Sequence, residues 1–325
     1  MPYFDMLREF GAGSAFVVSF FLVAGLNMIL VIAGVPSLSL TTQALIALVP
    51  AALFALYVKS FGRPMFFLLL LVMVLLATTE LGTDSWIADI MRTVLGSPTL
   101  GTLFLVWTSL IMFVLRFFAG PIVKKISPLG LLAASALVAA VGLLWLSGAG
   151  TGPAVLFAAA TFYGLGKTFF WPTTLGVVSE QYPRGGALML NAIAGVGMIS
   201  VGTLGNPAIG ALQDNAITAE VRTVNPPLAD RVIGSKPGLF GESLSLDPAK
   251  RAALTDQQEV AQITEVEHRT KQGTLGKIAI LPAIMFVCYL GLIAYFRSRG
   301  GYKQEHITQG GPTPERKPRA GAPAG

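Results

Sequence analysis

The chain has 325 residues, 53% of them hydrophobic and only 12% charged, with a net charge of +6 and a mean hydropathy of +0.67. Soluble domains carry about 25% charged residues, so half that share together with long uncharged runs points away from a soluble fold and to an integral membrane protein. The positive balance is not a nucleic-acid signature, because the aromatic residues lie in the apolar runs and no basic patch is interleaved with them.

Eight apolar stretches are predicted to span, at about residues 12–34, 41–57, 64–83, 100–120, 129–147, 154–178, 187–212 and 275–296. Most are near the ~20 residues a helix needs to cross the hydrocarbon. Lipid cannot satisfy backbone polar groups, which leaves helices or a closed barrel, and runs of Leu, Val and Phe without alternation exclude the barrel. The expected fold class is therefore an all-α integral membrane protein. The second stretch is short and contains Pro50, so it reads as a tilted helix or a re-entrant one.

The loops orient the spans. Arg8, Lys59, Arg63, Lys124, Lys125, Arg184, Arg297, Arg299 and Lys303 fall on one side if the helices alternate. That side reads as cytoplasmic, with both termini on it, as in a bacterial cytoplasmic membrane. The opposite side receives one long segment, about 213–273, that holds about half of the acidic residues. Its first part, rich in Pro, Gly and Asn, reads as irregular. Asp247-Pro248 then reads as the N-cap and first-turn proline of a polar helix running to about Lys271. The expected organisation is a segment 1–11, a helix pair at 12–58, a six-helix unit at 63–297 with an extracytoplasmic insert at about 213–273, and a disordered tail at 298–325.

The stretch from Ala154 to Pro183 is the focus of the chain, because it carries Lys167 within an apolar span. A charged side chain at bilayer depth costs roughly 2.5–3.5 kcal/mol on insertion scales, so it implies a partner, a wet cavity, or both. Tyr163, Lys167 and Trp171 recur at helical spacing and are expected on one face. Glu80 is the intramembrane acid expected to share that cavity. It lies ~24 Å along its helix and on the order of 10 Å from the depth of Lys167, so water or substrate is expected to bridge the two. Asp84 is expected near the outer surface, as a further substrate or coupling residue beside Lys167 and Glu80. Trp171 and Tyr163 read either as packing or as an aromatic wall, and Pro172 as a hinge that frees a carbonyl. Asn191, Gly195, Met198 and Gly202 are expected to form a close-packing face, with Asn191 as a helix-packing hydrogen bond or a ligand. Arg116 reads as an anchor at the phosphate level, or as a partner of helix-end carbonyls in a gate.

The enzyme motifs are weak. Gly166-Lys167-Thr168 has the end of a phosphate loop, but Thr161 stands where its first glycine belongs. His268 and His306 are far apart, Cys288 is the single cysteine, and no nucleophile elbow is present, so no catalytic, metal or cofactor site is expected.

Several features carry a resemblance. They are the basic tight loop Gly120-Pro121-Ile122-Val123-Lys124-Lys125, the polar-ended helix TTELGTDSW, the Gly-rich YGLGKTFFWPT, and LNAIAGVGMISVGTLGNP. In their order the six spans from Arg63 onward resemble the carboxy-terminal half of a major facilitator superfamily transporter, although Lys124 stands where the loop motif has its aspartate. The resemblance implies a six-helix half-bundle acting as a gradient-driven permease. Its expected partners are the lipid bilayer, a small solute, a proton or sodium ion, and a second half or a second copy of this chain. The first two helices are then either the end of a first half or an inserted pair. Because one such half cannot build a two-half cavity, a non-transporting membrane subunit is the alternative.

Overall fold

The computed structural model describes residues 3–238 and 241–305, apart from the side chains of Val123, Lys124 and Pro237. His306 and the tail expected beyond it lie outside the described residues. Among the described residues eight helices are long and apolar enough to cross a membrane, as in a multi-pass membrane protein.

Helix starts follow a simple local rule. Ser97-Pro98 opens α5 (Pro98–Arg116), Ser127-Pro128 opens α7 (Pro128–Gly148), and each serine hydroxyl accepts a main-chain N–H of the first turn. Proline at the first position gives up an amide that would have no partner there. The same device opens α3 (Pro64–Ala77) and α8 (Pro153–Lys167) without a side-chain cap. Ser39 caps α2 (Leu40–Val58), which runs as one helix through Pro50. The second stretch is thus a full-length helix.

Helix α1 (Tyr3–Ile32) begins well before residue 12 and breaks at Gly11, which has φ 66°. A Cβ on Gly11 would lie 2.1 Å from the Gly62 amide, so only glycine lets the two backbones meet. There Ala12 donates to the Ser60 carbonyl at 2.9 Å, and Arg63 N–H donates to the Glu9 carbonyl at 3.0 Å. The ends carrying Arg8, Arg63, Glu180 and Arg299 gather at this basic end of the bundle.

Two spans contain a π-helical turn. Thr78–Gly82 joins α3 to α4 (Thr83–Leu95), making a continuous 32-residue helix. Val201–Gly205 joins α10 (Gly186–Ser200) to α11 (Asn206–Val224). The two turns touch: a Cβ on Gly205 would come within 2.6 Å of the Thr78 hydroxyl. After α5 the chain forms the short α6 (Ala119–Lys125), and after α8 it re-forms as α9 (Phe170–Gln181). Helices α7 and α8 approach through Gly142 and Gly166, where an added Cβ would lie 2.6 Å from Tyr163 Cα and 2.3 Å from the Ala139 amide. The core lies among α3, α4, α7, α8 and α10, with Met73, Ile87, Leu143, Tyr163 and Ile193 fully enclosed.

The segment expected to be irregular is structured. It comprises the end of α11, α12 (Pro226–Val232), and an antiparallel hairpin of β1 (Ile233–Gly238) and β2 (Gly241–Leu246). These elements enclose a small core of Ile217, Val221, Leu228, Val232, Ile263 and Val266, so apolar burial overrides the turn-rich composition. The hairpin also departs from an all-helical chain. Asp247 caps α13, but that helix (Pro248–Ala252) stops after 5 residues. A second cap, Asp256, starts α14 (Gln257–Ile278), which leads into α15 (Ile280–Ser298). Helix α14 is fastened to the bundle: His268 contacts the Val94 carbonyl at 2.7 Å, and Lys271 pairs with Asp89 at 2.9 Å.

The first residues of the tail are not disordered. Tyr302 donates to Glu180 at 2.7 Å, Gln181 donates to the Lys303 carbonyl at 2.8 Å, and the Glu305 amide donates to the Glu180 carbonyl at 3.0 Å.

Candidate functional site

Four charged residues of the apolar spans, Glu80, Asp84, Arg116 and Lys167, come together at the first π turn. Glu80 lies within it, midway along the 32-residue helix, and Asp84 follows one turn later on the same face. A π turn loosens the main-chain hydrogen-bond ladder. The hydroxyls of Thr78 and Thr79 bond back to the Val74 and Leu75 carbonyls, each at 2.8 Å. The Thr79 carbonyl accepts the Tyr163 hydroxyl at 2.6 Å.

Two ion pairs sit side by side. Arg116 reaches Glu80 at 3.1 Å, and Lys167 bonds Asp84. Lys167 is fully enclosed, and its ammonium lies 5.1 Å from the centre of the Tyr163 ring. A cation against an aromatic face gains electrostatically when water is excluded. Arg116 also donates from Nε to the Thr168 carbonyl at 3.4 Å. That carbonyl is free because Pro172, four residues on, has no N–H to offer it. The proline's effect appears one turn upstream, where the chain breaks between Lys167 and Phe170.

The cluster sets two acids against two bases. Its members differ in access. Lys167 and Glu80 have side-chain exposures of 0% and 3%, whereas Asp84 and Arg116 reach 20% and 44%. A cavity of ≈440 Å³ lies on the accessible side, lined by Asp84, Ser109, Met112, Phe113, Arg116 and Phe117. The buried half of the cluster therefore communicates with the cavity only through its exposed partners. Glu80 Oε2 has no hydrogen-bond partner among the described residues.

The expected partners are exchanged. Lys167 pairs with Asp84 directly, with no need for a bridge to Glu80. The depth argument placed Asp84 at the surface because the apolar run ends there, but the helix continues about three turns farther, to Leu95. Arg116 stands at the level of Glu80, so its carbonyl bond is made inside the bundle. Trp171 does not extend the Tyr163–Lys167 face, because the break between α8 and α9 intervenes. Its ring packs instead over Gly197, where an added Cβ would lie 2.9 Å away. Pro172 is exposed, and Asn191 is exposed on α10 away from the cluster. Met198 is 59% exposed, so the expected packing face of α10 looks outward, and Gly197 and Gly205 make the close approaches. Gly120 and Lys125 are exposed on α6, and the Lys124 side chain lies outside the described residues.

Several participants escaped the sequence reading: the Thr79 and Thr168 carbonyls, Ser109, Met112 and Phe113, and the π-helical form of the turns ending at Gly82 and Gly205. The two turns share a Leu-Gly ending, Leu81-Gly82 and Leu204-Gly205, which was the one available signal. Asn206 supports the joint between them by accepting the Ser85 hydroxyl at 2.9 Å. Comparison of the chain with protein-family models, with curated proteins and with solved structures finds no match.

Proposed function

We propose that the chain is a secondary carrier, or one half of one, for a small polar solute, built like the carboxy-terminal half of a major facilitator superfamily transporter. One observation supports this reading: two intramembrane ion pairs lie side by side, and one member of each opens onto a cavity. Arg116 carries the argument furthest. A guanidinium at mid-bundle depth that is 44% exposed is costly against lipid, and reasonable against water or a second protein surface. The proposed cavity is closed by a second copy of this chain or by another half, and the basic end faces the cytoplasm. A proton, a sodium ion or the solute competes for Asp84 or Arg116. Release of either partner then unbalances Lys167 or Glu80 and favours the alternate packing of the π turns.

A second reading has its own observation. Lys167 is wholly enclosed and already paired, as expected of a static lock in a non-transporting subunit. Proteoliposomes holding the purified chain and trapped pyranine separate the two. Amino acids, sugars, organic cations and organic anions are added outside in turn under proton and sodium gradients, with radiolabelled uptake of the same solutes. Transport predicts a signal for one class that Asp84→Asn abolishes. Correctly inserted protein that moves none of them supports the static subunit.

A further inference from the structure

A second cavity, of ≈750 Å³, lies at the basic end, between the start of α3, the end of α9 and the end of α15, and shares no lining residue with the paired-charge cavity. Its lining changes character along its length. Arg63, Arg299 and Lys303 stand at helix ends or beyond them, with Glu305 as the one acidic lining residue. Met65, Leu68, Cys288 and Leu292 form an apolar wall. Cys288 lies nine residues before Arg297, which is ~14 Å down the axis of α15. The cavity is thus cationic at the helix ends and apolar where it enters the bundle. Gly291 faces open space in the groove between α3 and α15, where an added Cβ would meet nothing within 4 Å.

The polar end has unused capacity. Arg63 is engaged by Glu9 at 2.9 Å and approaches Glu305 at 3.7 Å. Among the described residues, neither Arg299 nor Lys303 has an acidic partner within 4.0 Å. Arg299 lies 4.6 Å over the ring of Tyr295, which also lines the cavity. Tyr182 is an independent observation. It is only 4% exposed and lines the cavity, yet its hydroxyl has no hydrogen-bond partner among the described residues. A buried hydroxyl left unpaired is costly, and an anionic oxygen in the cavity would accept a hydrogen bond from it.

We propose that this cavity binds an anionic phospholipid from the leaflet at the basic end. Arg63, Arg299, Lys303 and the Tyr182 hydroxyl hold the phosphate, and one acyl chain lies in the groove beside Gly291. A free phosphate would use the same donors and leave the apolar wall empty. A zwitterionic lipid would fill the wall and leave the excess positive charge uncompensated. Basic pockets between membrane helices are suited to anionic headgroups for this reason.

The test uses the full chain, purified and delipidated in maltoside detergent and titrated by native mass spectrometry. The probes are phosphatidylglycerol, phosphatidylcholine and inorganic phosphate. Phosphatidylglycerol is expected to bind saturably and in preference to phosphatidylcholine. Each basic residue near a membrane surface contributes about five-fold in affinity, so Arg299→Gln with Lys303→Gln weakens it about thirty-fold. Gly291→Trp fills the groove and removes lipid binding while leaving any phosphate binding intact. Cys288→Phe serves the same purpose should Gly291→Trp fail to insert, with circular dichroism as the folding control. Equal binding of phosphatidylcholine overturns the proposal. So does full competition by phosphate combined with unchanged lipid affinity in the groove variants, which would leave a simple anion site.

Discussion

Replacing Lys167 by Met removes the enclosed ammonium and leaves Asp84 without its partner. Breaking a buried ion pair by removing one member costs about 3–5 kcal/mol, because the remaining charge is stranded. Asp84 is 20% exposed on the cavity, so water recovers part of that cost and about 2–3 kcal/mol is expected. Asp84→Asn is the harsher change. It strands an ammonium of 0% exposure with the Tyr163 ring as its remaining stabiliser, for about 3–5 kcal/mol. The double variant leaves no charge to strand. Its destabilisation should fall short of the sum of the single changes by about 2–3 kcal/mol. Unfolding by sodium dodecyl sulfate in mixed maltoside micelles, followed by circular dichroism, measures the cycle. Additivity within about 0.5 kcal/mol would refute the pairing on which the site is built.

The neighbouring pair should behave asymmetrically. Arg116→Gln strands Glu80 at 3% exposure and is expected to cost about 3 kcal/mol, whereas Glu80→Gln strands a guanidinium of 44% exposure and should cost about 1 kcal/mol in the same assay. Equal losses would contradict the assigned exposures. At the α7–α8 contact, Gly166→Val drives a side chain into the Ala139 backbone and should cost more than about 3 kcal/mol, while Gly176→Ala, with open space around it, should be neutral or stabilising by up to about 1 kcal/mol. Gln272 donates to the Leu146 and Gly150 carbonyls at 3.0 and 2.9 Å. Gln272→Ala should therefore cost about 1–3 kcal/mol and speed amide exchange in α14 before the rest of the bundle. Unchanged exchange there would mean that the clamp is unimportant.

The eight spans were legible because apolar runs without alternation have few other solutions in lipid, and one helix start was legible because Asp247-Pro248 has a local backbone reason. The ends were not. Hydropathy reports where lipid stops, whereas helices stop where their hydrogen bonds run out. The stretch from Thr83 to Leu95 is polar on one side, yet it stays helical because α14 packs against it and supplies His268 and Lys271. That extension is why Asp84, expected at a surface, meets Lys167 inside. Lys167 and Glu80 could be singled out from their cost in an apolar span; which acid serves which base could not, because the break at Thr168 and the π turn at Glu80 lie between the residues that pair. The shared Leu-Gly ending of the π turns is too common a dipeptide to mark them, and the two turns are distant in sequence.

The first π turn and the break before Pro172 also explain why the charges collect where they do. Each is a place where the helix is locally underwound and its carbonyls are not all taken. At the first turn the Thr79 carbonyl is satisfied from another helix, by Tyr163. At the break before Pro172 the Thr168 carbonyl is satisfied by Arg116. Tyr163 lies under Lys167, and Arg116 holds Glu80, so backbone repair and charge pairing use the same side chains. A change of partner at Asp84 or Arg116 would therefore disturb main-chain hydrogen bonds in two helices at once. In a rigid, fully bonded helix the same pairs would be isolated from the backbone. Here the contacts at the cavity join the ion pairs to the main chain of α4, α8 and α9, which is the coupling that the proposed carrier would use.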